Sequence, residues 1–329
     1  MHMSDALISP SVAAVAGVVA VSLIAVAIQN CTAKASTLNP ARREYLFPLM
    51  GVLGAFIFAA QMINFTIPGT GSSGHIVGGI LLAAILGPWP AFLTLSSVLI
   101  IQALIFADGG ILALGCNIIN MAAMSCLVAY PIFFRTLVCP NASAARISAA
   151  SIIASVIALM LGAAALSAET ALSGVAALPM RQFLVYMVVI HLVIGFGEGI
   201  ATAAVLAIVR HYRPDILFEN NLGTTRPTVA RRTARVISLF AIAALIIGAS
   251  FSWVASSKPD GLEWSIEKVA DNTTLANPDT HYHRIAAQMQ EQTALMPDYD
   301  TSLAGILGSG AIILGVFVIA YIFRYQPRR

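Results

Sequence analysis

The chain has 329 residues, of which 58% are hydrophobic and 10% charged, with a mean hydropathy of +0.85 and a formal net charge of +3. Such apolarity excludes a water-soluble domain, and no nucleic-acid partner is expected. The composition is that of an all-α, polytopic helical bundle set in a lipid bilayer.

The first residues, Met1-His2, offer a free α-amine, the backbone nitrogen of residue 2 and an imidazole on the same residue. These close a five-membered and then a six-membered chelate ring around a square-planar d⁸ cation, and one distant imidazole would complete the plane. Nitrogen-rich tetragonal coordination suits Ni(II) or Cu(II), whereas Zn(II) takes tetrahedral sites and Mg(II) oxygens. Residues 1 to 10 contain no Lys or Arg and carry Asp5, unlike a cleavable signal, so the segment is expected to be retained. Met1 is expected to stay because the second residue is large.

Apolar runs follow near residues 11–29, 46–65, 76–87, 91–107, 111–134, 147–167, 184–209, 236–255 and 303–323. Each is read as crossing about 30 Å of hydrocarbon, alone or as part of a broken pair. The run 76–87 is the shortest, ending at Gly87-Pro88-Trp89-Pro90, and is expected to be short or tilted. Ahead of it, the Gly/Ser-rich stretch Gly69-Thr70-Gly71-Ser72-Ser73-Gly74-His75 supplies the distant imidazole. Gln61, Asn64, Gln102, Asn117 and Asn120 fall within or beside the spans and must face the bundle interior to be paired. Asn64, Asp108 and Asn117 lie toward the outer ends, where they could orient His75. On the seventh run His191, Gly195, Glu198 and Thr202 share one helical stripe. His191 could approach the metal. Glu198, about 10 Å further along the axis, reads as a buried lock between helices or a proton-coupled group.

The organisation is a seven-span domain over residues 1–209, a cytoplasmic linker over 210–235, and a two-span module over 236–329. An outer segment, about 256–301, carries Lys258, Lys268 and Arg284 against Asp260, Glu263, Glu267, Asp271, Asp279, Glu291, Asp298 and Asp300. Its negative potential would concentrate divalent cations at the mouth, or merely solvate the surface. With the N-terminus outside, only Arg181, Lys258, Lys268 and Arg284 of the 18 Lys and Arg fall on the outer face, as the positive-inside rule requires. Met1, His2 and His75 then share the outer side of a cell (inner) membrane, and the C-terminus is cytoplasmic. The cysteines Cys31, Cys116, Cys126 and Cys139 have no paired spacing, and no disulfide is expected.

Several separate stretches carry a resemblance. Met1-His2-Met3-Ser4-Asp5-Ala6-Leu7, Asn64-Phe65 through Gly78-Gly79, Phe106-Ala107-Asp108-Gly109-Gly110 with Leu114-Gly115-Cys116-Asn117, and His191 to Gly195 with Glu198-Gly199 are similar to the substrate-capture component of cobalt and nickel energy-coupling-factor (ECF) transporters. Pro259-Asp260-Gly261-Leu262-Glu263 resembles the mark of the PDGLE-type two-span partner of these systems, here fused. The resemblance implies capture of Ni(II) or Co(II) through the N-terminal amine, the amide and imidazole of His2, and His75. It also implies an ECF coupling membrane subunit and two cytoplasmic ATPase subunits, because this chain has no GxxxxGK[ST] loop and is expected to bind no nucleotide. No catalytic metal spacing such as HExxH occurs, so an enzyme is not expected. Nickel import, cobalt import feeding cobalamin biosynthesis, and a stand-alone divalent-metal channel or secondary transporter remain the competing readings, the last without any inverted repeat to support it.

Overall fold

A computed structural model describes residues 1–37, 40–139, 142–212, 226–250, 256–270, 275–297 and 302–324. Residues 213–225 of the linker lie outside the described residues, as do Asp271, Asp298, Asp300, Arg328 and Arg329. The described chain is almost wholly helical. In chain order the helices are α1 (Pro10–Thr37), α2 (Pro40–Gln61), α3 (Gly79–Leu86), α4 (Pro88–Ile105), α5 (Leu114–Leu137), α6 (Ala144–Ser173), α7 (Met180–Tyr212), α8 (Arg226–Ser250), α9 (Gly261–Ala270), α10 (His281–Thr293) and α11 (Ser302–Arg324).

Five of these, α1, α4, α5, α6 and α7, contain stretches long and apolar enough to cross a membrane, and α2, α8 and α11 contain shorter apolar stretches. The shortest run, 76–87, contains α3, whose eight residues are all buried. At 1.5 Å per residue α3 rises only about 12 Å, too little to cross the hydrocarbon core by itself. The residues ahead of it follow a small hairpin that closes around the Gly/Ser-rich stretch. Phe65 pairs with Gly74 and Thr66 with Ser73, and α2 stops at Gln61 to let the chain turn back.

Irregular backbone at membrane depth survives only where its polar groups are paired inside the protein. Glu198, half-way along α7, does this: one carboxylate oxygen accepts from the Val77 amide at 2.7 Å and the other from the Gly78 amide at 3.1 Å. Gln61 Nε2 donates to the Val77 carbonyl at 2.9 Å. The polar stripe on α7 is therefore buried, with His191, Gly195, Glu198 and Thr202 facing inward while Val189, Leu192, Val193, Phe196 and Ile200 face out. Helices α6 and α7 pack closely because Gly195 and Gly199 lie against the backbone of Val156 and Ile152, where a Cβ would collide.

The C-terminal spans α8 and α11 cross at Gly248 and Gly305 and pack on α2. Ser309 of α11 donates to the Ala55 carbonyl of α2. The outer segment between them is more than a solvated acidic loop. It folds into α9 and α10, which lie over the mouth of the bundle. Trp264 donates to the Thr70 carbonyl at 2.9 Å, and Gln290 donates to the Ala103 and Gly109 carbonyls at 3.0 and 2.8 Å.

Candidate metal centre

The N-terminal segment is threaded into the bundle rather than left in water. Met1 and Met3 are 4% and 0% exposed. Asn117 on α5 clasps Met3 as a neighbouring strand would, accepting from its amide at 2.7 Å and donating to its carbonyl at 3.1 Å. The Gly110 amide donates to the same carbonyl at 2.9 Å. Asp5 accepts from the Ala113 amide at 3.0 Å, and a Cβ on Gly110 would strike the Asp5 carboxylate, so the tight approach needs glycine there. Ala107 adopts φ 55°, a strained value for a residue with a side chain, and turns the following Asp108 toward the segment.

This threading stacks the two sequence-predicted histidines, with ring centroids 5.3 Å apart and planes at 22°. His75 Nδ1 donates to the Ile76 carbonyl at 3.2 Å. Because a carbonyl only accepts, this fixes the tautomer and leaves the Nε2 lone pair for another partner. His2 Nε2 donates to Gln102 Oε1 at 3.2 Å, and Gln102 in turn donates to Gln61 at 2.7 Å. The other nitrogen, Nδ1, stands 3.2 Å from Asp108 Oδ1. Burial holds both imidazoles below their ordinary pKa, that of His75 at about 3 with the α-amine and His2 adding to the effect. Burial thus favours the neutral form of both rings, the form that binds a metal.

The C-terminal module supplies the next contact. Asp260 is the N-cap of α9: its Oδ1 accepts from the Leu262 and Glu263 amides at 2.8 and 2.9 Å, and Glu263 returns to the Asp260 amide at 3.0 Å. The Pro-Asp-Gly-Leu-Glu motif is thus a capping box. The second oxygen of the cap, Oδ2, lies 2.7 Å from the α-amine of Met1. Burial pushes the Asp260 carboxyl up, but the charge and hydrogen bond of the amine outweigh it and hold the group well below the usual carboxylate range. Ser73 is pinned to the same turn through the Lys258 and Pro259 carbonyls. His283 of α10, buried, donates from Nε2 to the Asp5 and Ile8 carbonyls at 3.1 and 3.0 Å.

The residues proposed to orient His75 thus have different fates. Asp108 meets His2, and Asn117 holds the main chain of Met3. Asn64 belongs to the seam with the module, where its main-chain carbonyl accepts from the Ser256 amide. His191 lines one small cavity with Met1, His75, Asp260 and Gly261. Gln102, Asp260 and His283 were missed as members of the site. Gln102 was legible only as a polar residue that must face inward, and the other two only as parts of the outer segment. Among the described residues no cluster of three or more His, Cys, Asp or Glu side chains is arranged to hold a metal. A cation resting on the stacked pair would need main-chain nitrogen as well.

Residues 2–216 match the family model for the cobalt uptake substrate-specific transmembrane region, and residues 234–325 match that of the PDGLE domain. The chain is 34% identical over 251 residues to the "Putative fused nickel transport protein NikMN" of Archaeoglobus fulgidus, covering 76% of this chain and 79% of that one. It is 29% identical over 282 residues to the "Fused nickel transport protein NikMN" of Rhodobacter capsulatus, covering 81% and 76% of the two chains. A crystal structure described as a truncated transition metal transporter superposes with a TM-score of 0.54 at 30% identity, over 64% of this chain and 99% of that one. The chain belongs to the cobalt uptake substrate-specific transmembrane family, carries a fused PDGLE domain, and is a membrane component of metal uptake rather than an enzyme.

Proposed function

We propose that the chain is the substrate-specific component of an ATP-driven ECF importer and captures Ni(II) or Co(II) from outside the cell. The donors are the α-amine of Met1, the amide nitrogen and Nδ1 of His2, and Nε2 of His75. The observation that carries this reading is the stacked, buried histidine pair beside the α-amine, with the Nδ1 of His75 already committed to a carbonyl. A metal-bound imidazole is ordinarily oriented in this way by its second nitrogen. Entry of the ion displaces the proton of the amine and separates Nδ1 of His2 from Asp108. Asp108 and Asp260 stay beside the ion as counter-charges, while Gln102 keeps the His2 ring in register.

The site faces the outside of the cell membrane, with the C-terminus in the cytoplasm. Energy comes from partners, a coupling membrane subunit and two cytoplasmic ATPases that dock on the cytoplasmic ends of the helices. Relatives are named for nickel and for cobalt transport alike. Four nitrogens in a plane favour Ni(II).

The test is calorimetry of Ni(II) and Co(II) on the purified full chain with its native N-terminus. One comparison chain carries an Ala inserted between Met1 and His2, which leaves every side chain present but changes the chelate ring sizes. A second carries His75→Ala. Binding should fall at least a hundredfold in both; unchanged binding in the insertion variant would remove the terminus from the mechanism.

A further inference from the structure

We propose that the groove between α1, α5 and α10 binds one acyl chain of a phospholipid, in the leaflet on the side of the histidine pair.

The groove has a volume of about 680 Å³ and runs along α1 from Pro10 and Ser11 to Ile24. At 1.5 Å per residue that is about 21 Å, enough to cover one leaflet of a core about 30 Å thick. The facing wall is Ile111, Leu112, Leu114 and Ile118, at the start of α5 and just ahead of it. Glycine makes the floor. A Cβ on Gly115 would stand 2.6 Å from the Gly17 nitrogen, so the two helix backbones touch, while a Cβ on Gly17 itself would meet nothing within 4 Å. The chain thus leaves the hollow unfilled. An apolar hollow has no polar partners to hold water, so in hydrocarbon a lipid tail takes the space.

Polarity runs one way along the groove. Of the described residues that line it, only Ser11 and Tyr282 carry polar side-chain groups, and both lie in first turns, of α1 and of α10. An apolar trough with one polar end is the complement of an acyl chain hanging below its headgroup.

Helix α10 marks the depth of that end, because it has three faces rather than two. His283 and Ala286 are buried against the bundle. Tyr282, Ile285 and Met289 form a second stripe about a quarter-turn round the axis, 60, 40 and 48% exposed. His281, Arg284 and Gln288 make a third face, also exposed. Protein, lipid and water around one short helix is the pattern of a helix lying in the membrane interface, where Tyr is a usual anchor. Tyr282 belongs both to the apolar stripe and to the groove. A transmembrane helix of another protein fits the groove less well, since it would need the full depth of α1 and Tyr282 closes one end of its path.

Native mass spectrometry of the full chain, purified from vesicles of palmitoyl-oleoyl phosphatidylcholine, provides the test. One lipid per chain should stay bound after loosely held ones are stripped. Gly17→Leu places a side chain in the hollow and replaces a poor helix former by a good one, so the fold survives. Retained lipid should fall at least tenfold. Val18→Leu, on the outward face of the same helix where Val18 is 69% exposed, should retain it unchanged. Adding the lipid to the stripped parent should raise its thermal midpoint, and adding it to Gly17→Leu should not. A parent that retains no lipid, or equal retention in the two variants, would overturn the proposal. A dimer or a bound partner protein lost in Gly17→Leu, with lipid retention unchanged, would assign the groove to a protein interface and overturn it as well.

Discussion

The membrane wall of the histidine pair and the roof laid over it by the C-terminal module hold the same N-terminal segment by different chemistry. On the membrane side the contacts run mostly through amides and main chain, with the Asp108 carboxylate beside His2. Gln61, Gln102 and Asn117 are neutral, and Glu198 spends both its oxygens on the Val77 and Gly78 amides. On the module side Asp260 meets a charged amine, and α10 reaches the Asp5 and Ile8 carbonyls through His283. The wall is a set of buried groups with no alternative partner, whereas the roof is made of caps and side chains that can exchange one partner for another. The wall should therefore fix geometry, and the roof should adjust to charge.

If that division is right, the largest effect lies at Glu198. Glu198→Ala leaves two buried N–H groups unpaired, at about 1–3 kcal/mol each, for a loss of about 2–6 kcal/mol. Glu198→Gln keeps one acceptor oxygen and should lose about half as much. Thermal unfolding of the two variants in detergent would rank them, and an Ala variant as stable as the parent would show that the Val77 and Gly78 backbone is held elsewhere. Next comes Gln102→Leu, which strips the acceptor from His2 Nε2 and the donor from Gln61 while leaving every proposed metal donor in place. Outer contacts to a metal-bound imidazole are worth about 10- to 100-fold in affinity, so Ni(II) binding should fall by that order with the fold intact. Loss of affinity below threefold would mean the His2 ring is positioned by stacking on His75 alone.

The wall was more legible in the sequence than the roof, and the reason is physical. A polar residue inside an apolar run must turn inward, and a 3.6-residue period says which others share its face. His191, Gly195, Glu198 and Thr202 could thus be placed on one stripe before any coordinates. What the stripe touches is not periodic information. Gln102 and Asn64 carry the same signal, an amide near the outer end of a span, yet Gln102 meets His2 through its side chain while Asn64 joins the seam with the module through its main-chain carbonyl. The Gly-rich stretch before His75 announced a break in helical structure but not the hairpin, because glycine permits many conformations and selects none. The contact least visible in advance joins Met1 to Asp260, 259 positions apart, and in the sequence Asp260 stands only as an acidic residue of the outer segment and of its Pro-Asp-Gly-Leu-Glu mark.

That same contact yields the smallest expected effect and the finest test. In Asp260→Asn the cap survives, since Asn and Asp are equally good at that position, and only the charge beside the amine is lost. Before capture the amine carries one positive charge. After capture by amine, deprotonated amide and two neutral imidazoles, the dication and the amide anion together also carry one. Asp260 faces the same charge in both states, so its removal should change Ni(II) affinity less than about threefold. Calorimetry in buffers of different ionisation enthalpy should find about two protons released per ion, one from the amine and one from the amide. His75 contributes none, because burial holds it at about 3, and burial favours the neutral form of His2 as well. If the amide kept its proton, the site would gain a full charge on binding. One unit charge about 4 Å away is worth about 4 kcal/mol at an effective dielectric of 20, so Asp260→Asn would then cost roughly a thousandfold and only about one proton would leave. The single substitution at the roof thus reports on a chemical step in the wall, whether the main chain of His2 itself becomes a ligand.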